Sequence, residues 1–360
     1  MPAVHDREST VVDRASSLPR DEPSAEARSV SPAELDPLSE VLRTVRLEGA
    51  LFFLWEASSP FATSVPRGDR FAPVLLPRAQ QIVSYHVIVE GSCWGGLVGE
   101  APVRLRAGDV LLIPRGDAYV MSDSEEACPR TPIDEGLAIE FFRGMASGEL
   151  PFVYREGGGG PERVRVVCGF LGCDVRPFNP VLSALPALVR LPAAAGSGDA
   201  RLRGLVDYAV SEAREPTPGS GGVLARLGEL MFLEVVRRCL RELPGEPGGW
   251  LAGLRDPLVG RCLRLMHRRP AAPWTLESLA EAVGSSRSGL AQRFAERVGE
   301  PPIQYLTRWR LQMAANLLRD SSAKVATVAD RVGYSSAPAF TRAFQRVVGV
   351  TPTQWRDGAA

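Results

Sequence analysis

The stretch Leu279-Ala-Glu-Ala-Val-Gly284 decides the fold of the C-terminal part, because it returns 49 residues later as Val328-Ala-Asp-Arg-Val-Gly333. Glycine readily takes the positive φ of a tight turn between helices, and the small Ala280 and Ala329 let two helices cross closely. After one inserted residue the repeat continues, and Leu290, Phe294, Gly299, Pro302, Gln304 and Tyr305 match Phe340, Phe344, Gly349, Pro352, Gln354 and Trp355. The pattern predicts two helix-turn-helix units.

The second helix of each unit has one face that its buried apolar residues leave free. Ser286 and Ser336 are good N-cap residues for these helices, and a turn of about 100° per residue places polar side chains opposite the apolar ones. The residues predicted to contact DNA are Ser286, Arg287, Ser288, Ala291, Gln292 and Arg293 in the first unit, and Ser336, Pro338, Thr341, Arg342, Gln345 and Arg346 in the second. Arg and Gln form bidentate hydrogen bonds with guanine and adenine edges in the major groove, so the predicted partner is double-stranded DNA.

The distribution of charge supports the same partner. The 360 residues include 42 basic and 42 acidic side chains, which gives a formal net charge of zero. From Arg255 to Ala360, however, 16 basic residues face 8 acidic ones, so this segment carries +8 and the remainder −8. Such an asymmetry indicates one module that faces a polyanion and another that does not. For a single such helix, the alternative to DNA contact is that the polar face simply contacts solvent. Two copies of the helix in a basic segment argue against this alternative.

For the first half of the chain, the sequence predicts a tail followed by a β-rich domain. Residues 1–37 are polar and rich in Ser and Pro, which predicts a disordered tail. Short β-rich segments such as Gln81–Glu90 and Asp109–Ile113 predict a sandwich or barrel over residues 38–178. Four consecutive glycines within Glu156–Pro161 predict a loop.

Helical patterns replace the strands in the second half. Apolar residues recur at helical spacing over 201–213 and 223–243, within a predicted linker region at 179–249. Their apolar stripes need a partner surface, and both packing on the barrel and pairing in a dimer fit. The glycines and prolines of Pro244–Gly249 are typical of a linker. Residues 250–360 are predicted to be all-α, so the fold class is an α+β multidomain protein.

The sequence also excludes several classes of protein. Six cysteines are scattered without CxxC pairs or a disulfide framework, which predicts a cytoplasmic protein with reduced thiols. The sequence has no run of about 18 apolar residues, so no membrane span is predicted. It also has no apolar segment near the N-terminus, so no signal peptide is predicted.

A dense set of short motifs runs from Trp274 to Arg356. The motifs are Ser286-Arg-Ser288, Arg293-Phe294, Gly299-x-x-Pro302, Tyr305-Leu306, Arg308-Trp-Arg310, Gly333-Tyr-Ser335 and Phe340-Thr-Arg-Ala-Phe344. Together they resemble the DNA-binding domain of AraC/XylS-type transcriptional regulators. The resemblance implies base contacts from Arg287, Ser288, Ala291 and Gln292 in the first unit and from Pro338, Thr341 and Arg342 in the second. Pro338 departs from the pattern because it has no hydrogen-bond donor, so we expect the second unit to contribute more phosphate contacts than base readout.

A second resemblance lies in the N-terminal half. Gly108-Asp109-Val-Leu-Leu-Ile-Pro114-Arg-Gly116-Asp-Ala-Tyr119 resembles the second motif of the cupin barrel. With Phe178-Asn-Pro180 and Gly249-Trp-Leu251, it is similar to AraC-type regulators that carry an N-terminal cupin. This resemblance implies a cupin-like β-barrel sensor, a homodimer, and a transcription regulator, commonly an activator that acts with RNA polymerase.

The barrel is the predicted site of signal recognition. Its candidate wall residues for a small-molecule effector are Tyr85, His86, Trp94 and Tyr119, with simple core packing as the alternative. Tyr119 stands where catalytic cupins place a metal-binding histidine, and only His86 is nearby, so no metal site, catalytic residue or cofactor is predicted. A metal-dependent cupin enzyme with an accessory DNA-binding module is the alternative from another class. A constitutive architectural DNA-binding protein is a third.

A redox signal is a further hypothesis for the same domain. Cys93, Cys168 and Cys173 are candidate members of a thiol switch, provided that they are exposed and have low pKa values. Buried thiols that act as small apolar side chains are the alternative.

Overall fold

Strands dominate the N-terminal half of the chain. The computed structural model describes residues 37–44, 47–77, 79–193, 197–215, 217–242 and 249–358. Residues 1–36 of the predicted tail (1–37) and the linker residues 243–248 lie outside the described residues, whereas Pro37 begins a helix. The strands are β1 (Leu47–Ser58), β2 (Ala62–Val65), β3 (Gln81–Leu97), β4 (Val103–Arg106), β5 (Val110–Ile113), β6 (Tyr119–Ser122), β7 (Val153–Gly157), β8 (Arg163–Cys173) and β9 (Val189–Leu191). The predicted loop at Glu156–Pro161 begins two residues late, because β7 runs on to Gly157.

These strands form one curled sheet. Its main path is β2-β6-β3-β8-β1-β7, with β4 and β5 also paired to β3, and β9 to β5. The β1–β7 pair is parallel, whereas β8 runs antiparallel to both β1 and β3. The long β3 contributes to both ends, because its first half pairs with β5 and β8 and its second half with β4 and β6. This half-barrel confirms the predicted β-rich N-terminal fold.

Helices surround the sheet and form all of the C-terminal part. The helices beside the strands are α1 (Pro37–Thr44), α2 (Gly68–Leu75), α3 (Glu135–Ser147) and α4 (Pro180–Ser183). The later ones are α5 (Ser197–Arg214), α6 (Ser220–Glu242), α7 (Trp250–Arg255), α8 (Pro257–Arg268), α9 (Leu276–Val283), α10 (Arg287–Val298), α11 (Pro302–Asp320), α12 (Val325–Arg331), α13 (Ala337–Val348) and α14 (Pro352–Arg356). None of the helices in the described part of the chain has both the length and the apolar character needed to cross a bilayer.

The sheet buries both of its faces. Alternate residues of a strand point to opposite faces, so Phe53 and Phe170 lie in an inner cluster with α2 and α3, whereas Phe52 and Leu171 lie in an outer cluster with α6. The apolar stripe of α6 thus finds its partner surface on the sheet, through contacts with β1 and β8.

The outer cluster crosses the predicted domain boundaries. It continues through Trp250 into α8, into the first helix-turn-helix unit with Phe294, and into α11 with Trp309. The second unit has a cluster of its own, built around Phe340, Phe344 and Trp355.

Candidate nucleic-acid interface and effector cavity

The first helix-turn-helix unit consists of α9 and α10. Helix α9 ends at Gly284, whose φ of 70° lies in the left-handed region that glycine adopts without steric strain. The Ser286 hydroxyl caps α10 by accepting a hydrogen bond of 3.1 Å from the backbone N–H of Gly289. Leu290 and Phe294 are fully buried, which confirms the predicted inner face of this helix.

The second unit repeats this design with α12 and α13. Gly333 has a φ of 83°, and a Cβ at this position would lie only 2.6 Å from the carbonyl oxygen of Ala271. The Ser336 hydroxyl caps α13 by accepting from the backbone N–H of Ala339 at 3.4 Å. Phe340 and Phe344 are buried, so the predicted inner face is confirmed here too.

Most residues predicted to contact DNA are exposed. Those classed as exposed are Ser286, Arg287, Ser288, Gln292, Arg293, Ser336, Pro338, Arg342, Gln345 and Arg346, and Ala291 and Thr341 are partly buried. Helix geometry places six of them opposite the buried apolar residues, and the others cap the helices or flank this face; the six are Ser288, Gln292, Pro338, Arg342, Gln345 and Arg346. Each recognition helix therefore offers a polar surface to a partner.

Besides the capping serines, the side chains of Gln292, Arg287 and Arg293 have partners within the protein. Gln292 donates a hydrogen bond of 2.9 Å to the Glu296 carboxylate, and Arg287 forms an ion pair of 2.8 Å with Glu277. Both pairs are exposed to solvent. Exposed pairs contribute little to stability, and their side chains readily exchange one partner for another.

The third, Arg293, is more firmly held. Its guanidinium bonds the carboxylate of Asp256 at 2.8 Å, and Arg297 lies 3.4 Å from the same carboxylate. Burial opposes ionisation of Asp256, but N–H donors from Val259 and Leu258 together with Arg293 outweigh it and lower its pKa. Sequence reasoning missed Asp256, whose position before Pro257 at the start of α8 is the signal for an N-cap.

A cavity of about 440 Å³ lies inside the curled sheet. We call it the effector cavity, and it is closed on one side by α3. Its lining residues are Phe53, Trp55, Ala62, Thr63, Ser64, Val65, His86, Tyr119, Met121, Thr131, Pro132, Asp134, Leu137, Ala138, Phe141, Phe142, Tyr154, Glu156, Cys168 and Phe170. A cavity of this size and mainly apolar character is typical of a small-molecule site.

Two of the four predicted wall residues line this cavity. His86 and Tyr119 do so, and the His86 Nε2 lies 2.6 Å from the Tyr119 hydroxyl. Burial lowers the pKa of His86 to about 3, so the imidazole is neutral at physiological pH. For Tyr119 burial has the opposite effect: it raises the pKa of the hydroxyl, which therefore stays protonated.

The prediction for Tyr85 and Trp94 is not matched by the structure. Tyr85 is next to His86 on β3, so it points to the opposite face, where its hydroxyl donates to the Gly228 carbonyl of α6 at 3.0 Å. Trp94 packs beneath the guanidinium of Arg104, 5.9 Å from the ring centre. The sequence shows the two-residue alternation of β3, but it shows neither which face of the strand meets the cavity nor the irregularity between Ile88 and Glu90, which shifts the alternation before Trp94.

The conditions for a thiol switch are contradicted. Cys93, Cys168 and Cys173 are all buried and reduced. Burial raises the pKa of Cys93 to about 12, and it raises the pKa values of Cys168 and Cys173 strongly as well. Thiols of this kind are poor nucleophiles, because the thiolate is the reactive form. Within the described residues, no cluster of three or more His, Cys, Asp or Glu side chains is suited to hold a metal ion.

Comparison with known proteins gives matches to two separate parts of the chain. A family model described as Cupin matches residues 36–241, and one described as Helix-turn-helix domain matches residues 279–358. A putative AraC-like transcription regulator of Streptomyces antibioticus is 33% identical over 323 residues, which cover 89% of this chain and 98% of that protein. The HTH-type transcriptional regulator AlkR of Acinetobacter baylyi is 31% identical over 280 residues, or 78% of this chain and 89% of that protein.

A similar solved structure covers the C-terminal part. The DNA-binding domain of the global transcriptional factor AdpA, solved in complex with a target DNA, is 30% identical, covers 29% of this chain and 92% of that chain, and has a TM-score of 0.28. The matches along the sequence extend over both the curled sheet and the paired helix-turn-helix units. The chain therefore belongs to the AraC-type transcription regulators that carry an N-terminal cupin-like domain.

Proposed function

We propose that this regulator reads DNA through the exposed faces of α10 and α13. The observation that supports this most strongly is the repeat of one geometry, in which a capping serine and two buried apolar residues leave a polar helix face free. Gln292 and Arg342 then read base edges, and Arg346 contacts phosphate. Pro338 has no donor, so the second unit supplies more phosphate contact than readout.

Two substitutions separate base readout from phosphate contact. Gln292→Ala should lower the preference for a selected duplex over a scrambled one by about 1–3 kcal/mol, the worth of one bidentate base contact. Arg346→Ala should weaken binding to both duplexes equally and reduce the slope of log affinity against log salt by about 1. Gel-shift titrations at two salt concentrations measure both quantities.

The control for these titrations is Arg143→Ala, which removes an exposed arginine from α3. It should leave affinity and salt dependence unchanged. Equal effects of Gln292→Ala and Arg346→Ala on scrambled DNA would overturn the assignment of roles.

We further propose a division of labour along the chain. Residues 38–178 sense a small-molecule effector in the effector cavity, residues 179–249 link and dimerise, and residues 250–360 bind DNA. An effector that binds two conformations differently shifts their populations, and with them the placement of the DNA-binding units in a homodimer. In the cytoplasm the regulator would act chiefly as an activator, in contact with RNA polymerase.

The same proposal assigns no catalytic activity to the chain. His86 is the one histidine among the lining residues of the cavity, and its Nε2 is hydrogen-bonded to Tyr119, whereas metal-dependent cupins bind their metal through several histidines. Metal analysis of the purified protein tests this, because a stoichiometric transition metal would favour the enzyme alternative.

A further inference from the structure

The effector cavity combines a negative charge with aromatic walls. We propose that it binds an apolar molecule that carries one ammonium group. The inference rests on the proposed function, in which this cavity is the effector site, and it names the chemical class of the effector.

The charged residues that line the cavity are all acidic. Asp134 and Glu156 supply carboxylates, and no lysine or arginine is among the lining residues. Arg155, the neighbour of Glu156 on β7, pairs instead with Glu56 at 3.0 Å. Within the described part of the chain, no basic side chain lies within ion-pair distance of the Glu156 carboxylate. The cavity therefore favours a cation over an anion.

Hydrogen bonds hold the Glu156 carboxylate in place. The indole N–H of Trp55 donates to one carboxylate oxygen at 3.1 Å, and the Thr63 hydroxyl donates to the other. An ionised carboxylate has about four acceptor positions, so positions remain for the N–H groups of a ligand. Burial and the charge of Glu156 both raise the pKa of Tyr154, so this charge acts on the wall of the cavity.

The walls beside this carboxylate suit both ends of such a ligand. Phe53, Phe141 and Tyr154 line the cavity, and the last two rings pack edge to face with centres 4.8 Å apart. Aromatic faces attract a cation that is partly removed from water, and the same rings cover an apolar body. Trp55 contributes in both ways, as ring and as hydrogen-bond donor to Glu156.

A buried polar group of the wall is also compatible with a cationic ligand. His86 is only 2% exposed, and its Nδ1 is buried with no hydrogen-bond partner, which leaves an unmet bond that a polar atom of a ligand can satisfy. Because this histidine is neutral, it does not repel a positive charge. A carboxylate ligand, by contrast, would meet two acids and no cationic partner.

Three probes with one apolar body test the inference. They are 4-phenylbutylamine, 4-phenylbutan-1-ol and 4-phenylbutanoate, which carry a cation, a neutral group and an anion. Titration calorimetry with the full-length protein should give the amine at least tenfold higher affinity than the alcohol, and the alcohol higher affinity than the carboxylate. Glu156→Gln should abolish the preference for the amine and leave the alcohol's affinity unchanged, because the Gln amide keeps an acceptor oxygen for Trp55 and can donate to the Thr63 hydroxyl.

Glu140→Gln is the matched control, since Glu140 is an exposed acid on α3 that does not line the cavity. It should keep the full preference for the amine. The inference is overturned if no probe binds, if the alcohol or carboxylate binds as tightly as the amine, or if Glu156→Gln keeps the preference. Gel shifts on the same preparations test the proposed DNA binding separately, because DNA binding does not depend on whether the amine binds.

Discussion

His267 shows how one buried polar residue ties stability to pH. Its Nε2 lies 2.7 Å from the Tyr305 hydroxyl, and its ring centre is 4.3 Å from that of Trp309, in the core shared by α8 and α11. Burial lowers the pKa of His267 to about 3, so the folded protein holds it neutral. The unfolded chain takes up a proton near pH 6.5.

We predict that acid weakens the fold through this residue. The unfolded state binds more protons below about pH 6.5, so stability is complete above that pH and falls towards pH 3, by about 1.4 kcal/mol per pH unit for each such histidine. His267→Phe should therefore show a smaller loss between pH 7 and pH 5 than the wild type. Urea unfolding at both pH values measures the difference, and equal losses in the two proteins would contradict the prediction.

At the same scale, the sequence predicts some site residues and misses others. Ser286 and Ser336 were predictable as caps because capping depends on residues three positions away. His86 and Tyr119 were predictable as barrel residues. Glu156 was not predictable as a cavity residue, because its role depends on Trp55 and Thr63, which lie far from it along the chain.

Helix α8 illustrates how one side chain can order two elements. The Asp256 carboxylate caps α8 by accepting N–H bonds of 3.0 Å from Leu258 and Val259. It also binds Arg293 on the recognition helix α10 at 2.8 Å. Loss of Asp256 should therefore free the start of α8 and release α10 from it.

We predict that Asp256→Ala destabilises the protein by about 2–3 kcal/mol, of which a lost N-cap accounts for roughly 1. Asp256→Asn keeps an acceptor for the N–H groups and should cost less, so the difference between the two variants reports on the pairing with Arg293. Chemical denaturation gives both values. If the two variants were as stable as the wild type, the cap and the ion pair would have no energetic role.

Among elements, local patterns predicted the helices that belong to the repeat, because turn glycines, caps and apolar spacing are all short-range signals. Helix α2 was not predicted, since Pro73 lies inside it and proline normally ends a helix. Helix α3 was missed although Asp134 caps it and Ala138, Phe142 and Met145 are buried at helical spacing. That signal is confined to one short segment between strands.

Across the whole molecule, α11 joins the sensor to the DNA-binding units. Gln312 accepts a hydrogen bond of 2.8 Å from the backbone N–H of Phe178, and the amide of Asn316 donates to the Thr44 carbonyl at 2.6 Å. Arg319 forms an ion pair with the fully buried Asp174 at the end of β8. No local sequence pattern predicts these contacts, because their partners lie more than 100 residues apart.

We predict that Asp174→Asn lowers the free energy of unfolding by about 2 kcal/mol, because the partly buried Arg319 loses its charged hydrogen-bond partner. Asp330→Asn, which changes an exposed acid on α12, is the control and should be within about 0.5 kcal/mol of wild type. A loss no larger than that of the control would show that the ion pair does not hold α11 against the sensor.

Selection of binding sites from random DNA by the full-length protein tests the DNA-reading role of the two units. The 19 residues of α11 separate the units by about 28 Å of helix, which suits recognition helices in successive major-groove turns. We predict enrichment of a motif with two elements about 10 base pairs apart, and loss of the first element's enrichment in Gln292→Ala. A selected pool that binds no better than the starting random DNA would contradict a sequence-reading role for the paired helix-turn-helix units.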